Sequence, residues 1–159
     1  MTYHYSPEGK LSQGDIFHRV KVITNIIGGA NNSPKYGERN IIIITRNCEI
    51  DKAPDSVLVA KLVRVSSQSE RMQGLIRGNG EQVLVSAFYL PSDDQFMEEC
   101  YVDWRTLQPL SVEMMKQLRP KQDYYKCTLD EEMRKACLES FTVFFTKPED
   151  EEPNTILPE

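Results

Sequence analysis

The stretch Gly37-Glu38-Arg39-Asn40-Ile41-Ile42-Ile43-Ile44-Thr45-Arg46-Asn47-Cys48 decides the fold class. A polar, glycine-bearing loop ends on an arginine, four isoleucines follow in a row, and a threonine, an arginine and a cysteine mark the exit. Branching at Cβ stiffens isoleucine at χ1 and suits it to a pleated strand. Successive side chains on a strand point to opposite faces, so an unbroken apolar run requires cover on both. The run predicts a central strand of a small barrel, with polar groups at its two mouths.

Upstream, residues 15 to 27 read as a strand with Val20, Val22 and Phe17 inward. The turn-forming cluster at 28 to 37 reads as a surface loop between the two strands. Downstream, a turn at 51 to 55 contains Ala53-Pro54, and 56 to 65 form a third strand. Residues 66 to 77 are polar with Met72, Leu75 and Ile76 as an apolar side, a helical insertion closed by Gly78-Asn79-Gly80. Two further strands follow at 82 to 90 and 100 to 107. In the second, Tyr101, Asp103 and Arg105 alternate with Val102, Trp104 and Thr106.

Two helices close the chain. Ser111 is the N-cap of a short helix running to Leu118 before Pro120. Thr128-Leu129-Asp130-Glu131 has capping-box form, and Leu129, Met133, Cys137, Phe141 and Phe145 recur behind it every four residues. That stripe predicts a helix packed on the sheet. The expected organisation is one domain over 1–147 and an acidic, disordered tail over 148–159.

Composition bounds the function. Of 159 residues, 40% are hydrophobic and 27% charged, the profile of a soluble globular protein. No run approaches the ~20 apolar residues of a membrane span, and the N-terminus lacks the pattern of a signal peptide. The expected compartment is the cytoplasm, with no membrane partner. The four cysteines include no CxxC pair and only His4 and His18 accompany them, so neither a metal site nor a cofactor is expected. The net charge of −5 is concentrated in the tail, where five carboxylates face Lys147, and the body is nearly neutral. A dedicated nucleic-acid binder would carry a basic stripe instead.

The order of strand, loop, strand, strand, insertion, strand, strand, helix, helix is that of an α+β domain: a small, strongly bent antiparallel barrel with a helical insertion and a C-terminal packing helix. Three segments resemble the MazF/PemK toxin superfamily. Gln13-Gly14-Asp15-Ile16-Phe17 resembles its opening strand, and Glu38-Arg39-Asn40-Ile41-Ile42-Ile43-Ile44-Thr45 its arginine-led aliphatic segment, with Asn40 standing where the family has proline. Tyr101-Val102-Asp103-Trp104-Arg105-Thr106-Leu107 resembles its late strand. The resemblance implies an SH3-like barrel and metal-independent RNA cleavage. Under it, Arg39 matches the catalytic arginine, which would clamp the scissile phosphate and offset its developing charge, with Thr45 as polar partner.

Cys48 beside Arg46 has one feature of an activated thiol, and His18 is the candidate base. Their distance in sequence favours Cys48 as a core residue. Glu98, Glu99 and Asp103 read as a solvated acidic face, and neither glycine pair has the pattern of a phosphate loop. Tyr36, Arg46, Trp104 and Arg105 are the residues expected to bind a partner. Together these features favour a non-enzymatic interaction module of a bacterial or phage-type, toxin–antitoxin-like system. It would engage a protein partner, with homodimerisation open to it. The alternative is a MazF/PemK-like endoribonuclease, with RNA as its partner.

Overall fold

Each isoleucine of the Ile41–Ile44 run is at most 5% exposed, and alternate members lie in different cores. In the computed structural model, which describes residues 2–26, 33–78 and 84–147, Ile42 and Ile44 pack with Ile16, Val102, Trp104 and Leu129. Ile41 and Ile43 pack with Phe17, Val59, Met115 and Tyr125 on the other face. Burial of each such side chain contributes roughly 1.5 to 3 kcal/mol. The run is thus the spine that holds two apolar layers together.

The strands are β1 (Tyr3–His4), β2 (Asp15–Ile26), β3 (Pro34–Ile43), β4 (Ser56–Arg64), β5 (Ala87–Leu90), β6 (Cys100–Ser111) and β7 (Tyr125–Leu129). They form one antiparallel sheet in the order β1-β7-β2-β3-β4-β6-β5, curled into a half-barrel. The helices are α1 (Asn47–Ile50), α2 (Glu70–Arg77), α3 (Val112–Leu118) and α4 (Glu131–Thr146). Ile50 of α1 and Val112 and Met115 of α3 belong to the Ile41/Ile43 core. Cys137, Met133, Phe141 and Phe144 of α4 belong to the other. The α+β class and the strongly bent antiparallel sheet agree with the sequence reading.

Irregularities in pairing supply the curl. The β2–β3 register slips between Phe17 and Val20, and Arg19 there takes a left-handed φ of 57°. Such a bulge bends its strand and increases the local twist. A larger break divides β6: Asp103 pairs with Lys61, whereas Gln108 pairs with Val59. Thr106 bridges the break, its hydroxyl accepting from Lys61 N–H (2.9 Å) and donating to the Asp103 carbonyl (2.6 Å). The alternation read over 100 to 107 holds up to this break: Val102 and Trp104 share one core, Tyr101 lies in another, and Asp103 meets Arg105, with both faces of the strand buried from Tyr101 to Trp104.

The helical insertion forms as α2, with Ser69 as N-cap and Gly78 in a left-handed C-cap. Arg77 and Tyr89 both hydrogen-bond Glu99, fastening α2 to β5 and β6. The helix from Ser111 also forms as read, with the Ser111 hydroxyl accepting from Met114 N–H. Several elements differ from expectation; the strand read over 82 to 90, for one, spans only Ala87–Leu90 as β5 among the described residues. The strand β3 begins at Pro34, inside the segment read as loop, because it hydrogen-bonds β2 out to Ile26. Residues 125 to 129, read as the approach to a helix, form β7, and Asp130 replaces Thr128 as the cap of α4, accepting from Met133 N–H at 2.8 Å. Phe145 leaves the expected stripe and is 60% exposed. The proposed tail and the turn at 79–80 lie outside the described residues.

Candidate functional site

Arg39 sits in the middle of β3, opposite Val20, rather than at a junction between loop and strand. It is half-buried, and its Nη1 donates to the Glu38 carbonyl at 2.8 Å. Gly37 leaves it room, since a Cβ there would come within 3.1 Å of that nitrogen. Thr45 lies beyond the strand end, where its hydroxyl accepts from Leu58 N–H at 2.7 Å. Thr45 lies six positions beyond Arg39 along a largely extended chain, about 20 Å at the usual rise. They are not brought together. Arg46 is exposed and faces Glu49 at 3.6 Å.

The remaining residues read as binding groups divide into buried and exposed. Trp104 is 1% exposed, donating from Nε1 to the Ser140 hydroxyl (2.9 Å) and packing on Phe141. Arg105 forks onto the Asp103 carboxylate through Nε and Nη2, each at 3.0 Å. Tyr36 is 58% exposed. It pairs across the β2–β3 ribbon with Ile23, itself 37% exposed, and Lys21 lies over its ring. An exposed aromatic beside an exposed aliphatic is a small apolar surface with a cation at its border.

Cys48 corrects the expectation: it is exposed, on the one-turn helix α1, whereas Cys100, Cys127 and Cys137 are buried. No hydrogen bond joins it to His18, whose backbone N–H instead reaches the Tyr124 carbonyl. The acidic residues do not form a common face. Glu98 pairs with Arg64, Glu99 with Arg77 and Asp103 with Arg105.

A second polar centre was not singled out in the sequence. It forms where the segment before β2 crosses β7 and the end of α3. Gly14, at φ 88°, donates to Ile43 O and accepts from Leu129 N–H, which splices this segment between β3 and β7. Asp15, fully buried, accepts from Arg119 Nε (2.8 Å), the Thr128 hydroxyl (2.6 Å) and Ser12 N–H (2.8 Å). Burial pushes its carboxyl up, while Thr128, Arg119 and Ser12 pull it down. The Arg119 guanidinium stacks 3.5 Å from the Tyr125 ring centroid, and the Tyr125 hydroxyl meets Thr128 Oγ1 at 2.7 Å.

Polar groups continue outward from this centre. Gln13 donates from its side chain to Ile44 O and from its backbone to Asn47 Oδ1, and Arg134 Nη1 donates to Gln13 Oε1 at 2.9 Å. A cleft of about 300 Å³ opens over these groups, and one of about 560 Å³ lies on the other side of Gly9 and Lys10. Arg119 borders both clefts. Sequence reasoning missed Arg119 because a basic residue between a helix end and Pro120 has the pattern of a solvated C-terminal cation. Neither a protein-family model nor a curated protein matches this chain.

Proposed function

We propose that the chain is a non-enzymatic protein-interaction module of a bacterial or phage-type cytosolic system, built on an SH3-like barrel. The observation that carries this reading is the exposed cross-strand pair Ile23 and Tyr36 on the β2–β3 ribbon. The strand β4 pairs with β3 only from Asn40 to Ile43, so among the described residues no strand continues that pairing along Pro34–Glu38. A strand edge beside alternating apolar side chains is the surface that strand addition uses. Lys21 and Lys35 flank Tyr36, and both are exposed. The partner segment is therefore extended, with apolar and acidic residues alternating.

The separation of Arg39 from Thr45 favours this reading over the ribonuclease. A displayed random-peptide library panned on the wild type, on Tyr36→Ala and on Ile23→Thr tests it. Extended apolar–acidic peptides should be enriched by the wild type and lost on both variants. Enrichment that is absent, or equal on all three proteins, would reject the module. In parallel, cleavage of mixed RNA by the wild type but not by Arg39→Ala would establish the ribonuclease instead.

A further inference from the structure

The Arg119 fork is only partly used. Its Nε is committed to Asp15 and one face is covered by Tyr125, yet Nη1 is buried with no hydrogen-bond partner among the described residues. The side chain is 4% exposed. A buried guanidinium N–H left without an acceptor carries its full desolvation penalty, so the arrangement calls for an acceptor. Around it, Gly9, Lys10, Ser12 and Arg134 line the same cleft. Asp15 already balances Arg119, and Lys10 and Arg134 outnumber Glu131, so the remaining lining is cationic.

We propose that this cleft is a binding site for a compact oxyanion, a phosphate or a carboxylate, held by the terminal edge of the Arg119 fork with Lys10 and Arg134 at the rim. The site does not depend on the ribbon surface. Asp15 and Tyr125 hold the guanidinium in place before the anion arrives, which reduces the ordering cost of binding. Charge-assisted hydrogen bonds from a planar fork suit both oxyanions. Nη1 is out of contact with water, so the anion reaches it by parting the packing around the guanidinium, in which the Gly9 turn lies against Nη2. The Gly9 N–H closes that turn on the Ser6 carbonyl at 3.0 Å. A Cβ at Gly9 would stand 2.9 Å from Arg119 Nη2. An alanine at this position would press on the nitrogens that the anion needs.

The test is two-dimensional NMR of the isotope-labelled full chain, titrated with inorganic phosphate and separately with acetate at constant ionic strength. Saturable shifts should appear at Gly9, Lys10, Arg119 and Arg134. Arg134→Gln should weaken the response roughly tenfold, the loss expected for one charge-assisted contact. Gly9→Ala should abolish it while the remaining resonances keep their positions. A tighter response to phosphate identifies a phosphorylated ligand or free phosphate; a tighter response to acetate identifies an acidic side chain or chain terminus. Shifts that never saturate, or saturation that survives Gly9→Ala undiminished, would overturn the proposal.

Discussion

The side-chain amide of Gln108 on β6 takes up the backbone N–H and C=O of Ile23 on β2, on the side of the strand away from its β3 partner Tyr36. Its Oε1 accepts from Ile23 N–H at 3.0 Å, and its Nε2 donates to the Ile23 carbonyl at 3.1 Å. The two strands are separated in the sheet by β3 and β4, so only the curl brings them together. Beyond Phe17, β2 has no register with β7, and Gln108 satisfies part of the backbone that this leaves. The half-barrel is thus closed here by one side chain. Gln108→Leu removes both hydrogen bonds at an exposed position and should cost about 1 to 2 kcal/mol. The urea midpoint should fall with an unchanged slope, and an unmoved midpoint would mean that the closure adds no stability.

Asp15 and Arg119 are mutually dependent. With Asp15 fully buried and Arg119 4% exposed, removal of either leaves a charge in a low-dielectric interior. Asp15→Ala or Arg119→Ala should each cost about 3 to 5 kcal/mol, the range for breaking a buried pair. The double variant should be less destabilised than the sum of the two, because it strands no charge. Additive losses in denaturant unfolding would show that the two do not act as a pair.

The isoleucine run was readable because local chemistry and tertiary role coincide: Ile41 to Ile44 can leave water only in a strand covered on both faces. The N-cap serine of α3 was readable for the same reason, since Ser111 and Pro120 bracket one short amphipathic turn. The strand β7 was not. Tyr125, Cys127 and Leu129 do alternate with Lys126 and Thr128, but Thr128 and Glu131 mimic a capping box, and Asp130 is the stronger competitor for that role. The two-residue β1 has too few residues to show any period. Arg119 was invisible because its burial depends on Asp15, 104 positions away, and on the ring of Tyr125. Non-local pairing of this kind leaves no spacing to detect.

Glu99 fastens the insertion in a pH-dependent way. Hydrogen bonds from Arg77 first, and from Tyr89, hold its carboxyl down to about 2. A carboxyl depressed on folding adds stability above its unfolded value of about 4.3, and that contribution is lost as pH falls through the folded value. The protein should therefore lose stability progressively between roughly pH 5 and pH 2 through this group. Glu99→Gln should be less stable than the wild type at neutral pH, with the gap closing in that window. A gap independent of pH, measured by thermal melting across the range, would assign the role of Glu99 to shape rather than charge.

The thiols should report the fold directly. Cys48 is exposed on α1, whereas burial pushes Cys100, Cys127 and Cys137 each up to about 12. Thiolate is the reactive form, so the three buried groups combine low access with a negligible thiolate fraction at neutral pH. A chromogenic thiol reagent should titrate one cysteine quickly in the native protein and all four in denaturant. Cys48→Ser should abolish the fast phase and leave the slow one. The slow phase should in turn follow global unfolding, because Cys100, Cys127 and Cys137 all belong to the core that contains Ile42 and Trp104. Fast labelling of a second cysteine in the native state would show that this core opens locally, and hydrogen exchange at β7 and α4 would locate the opening.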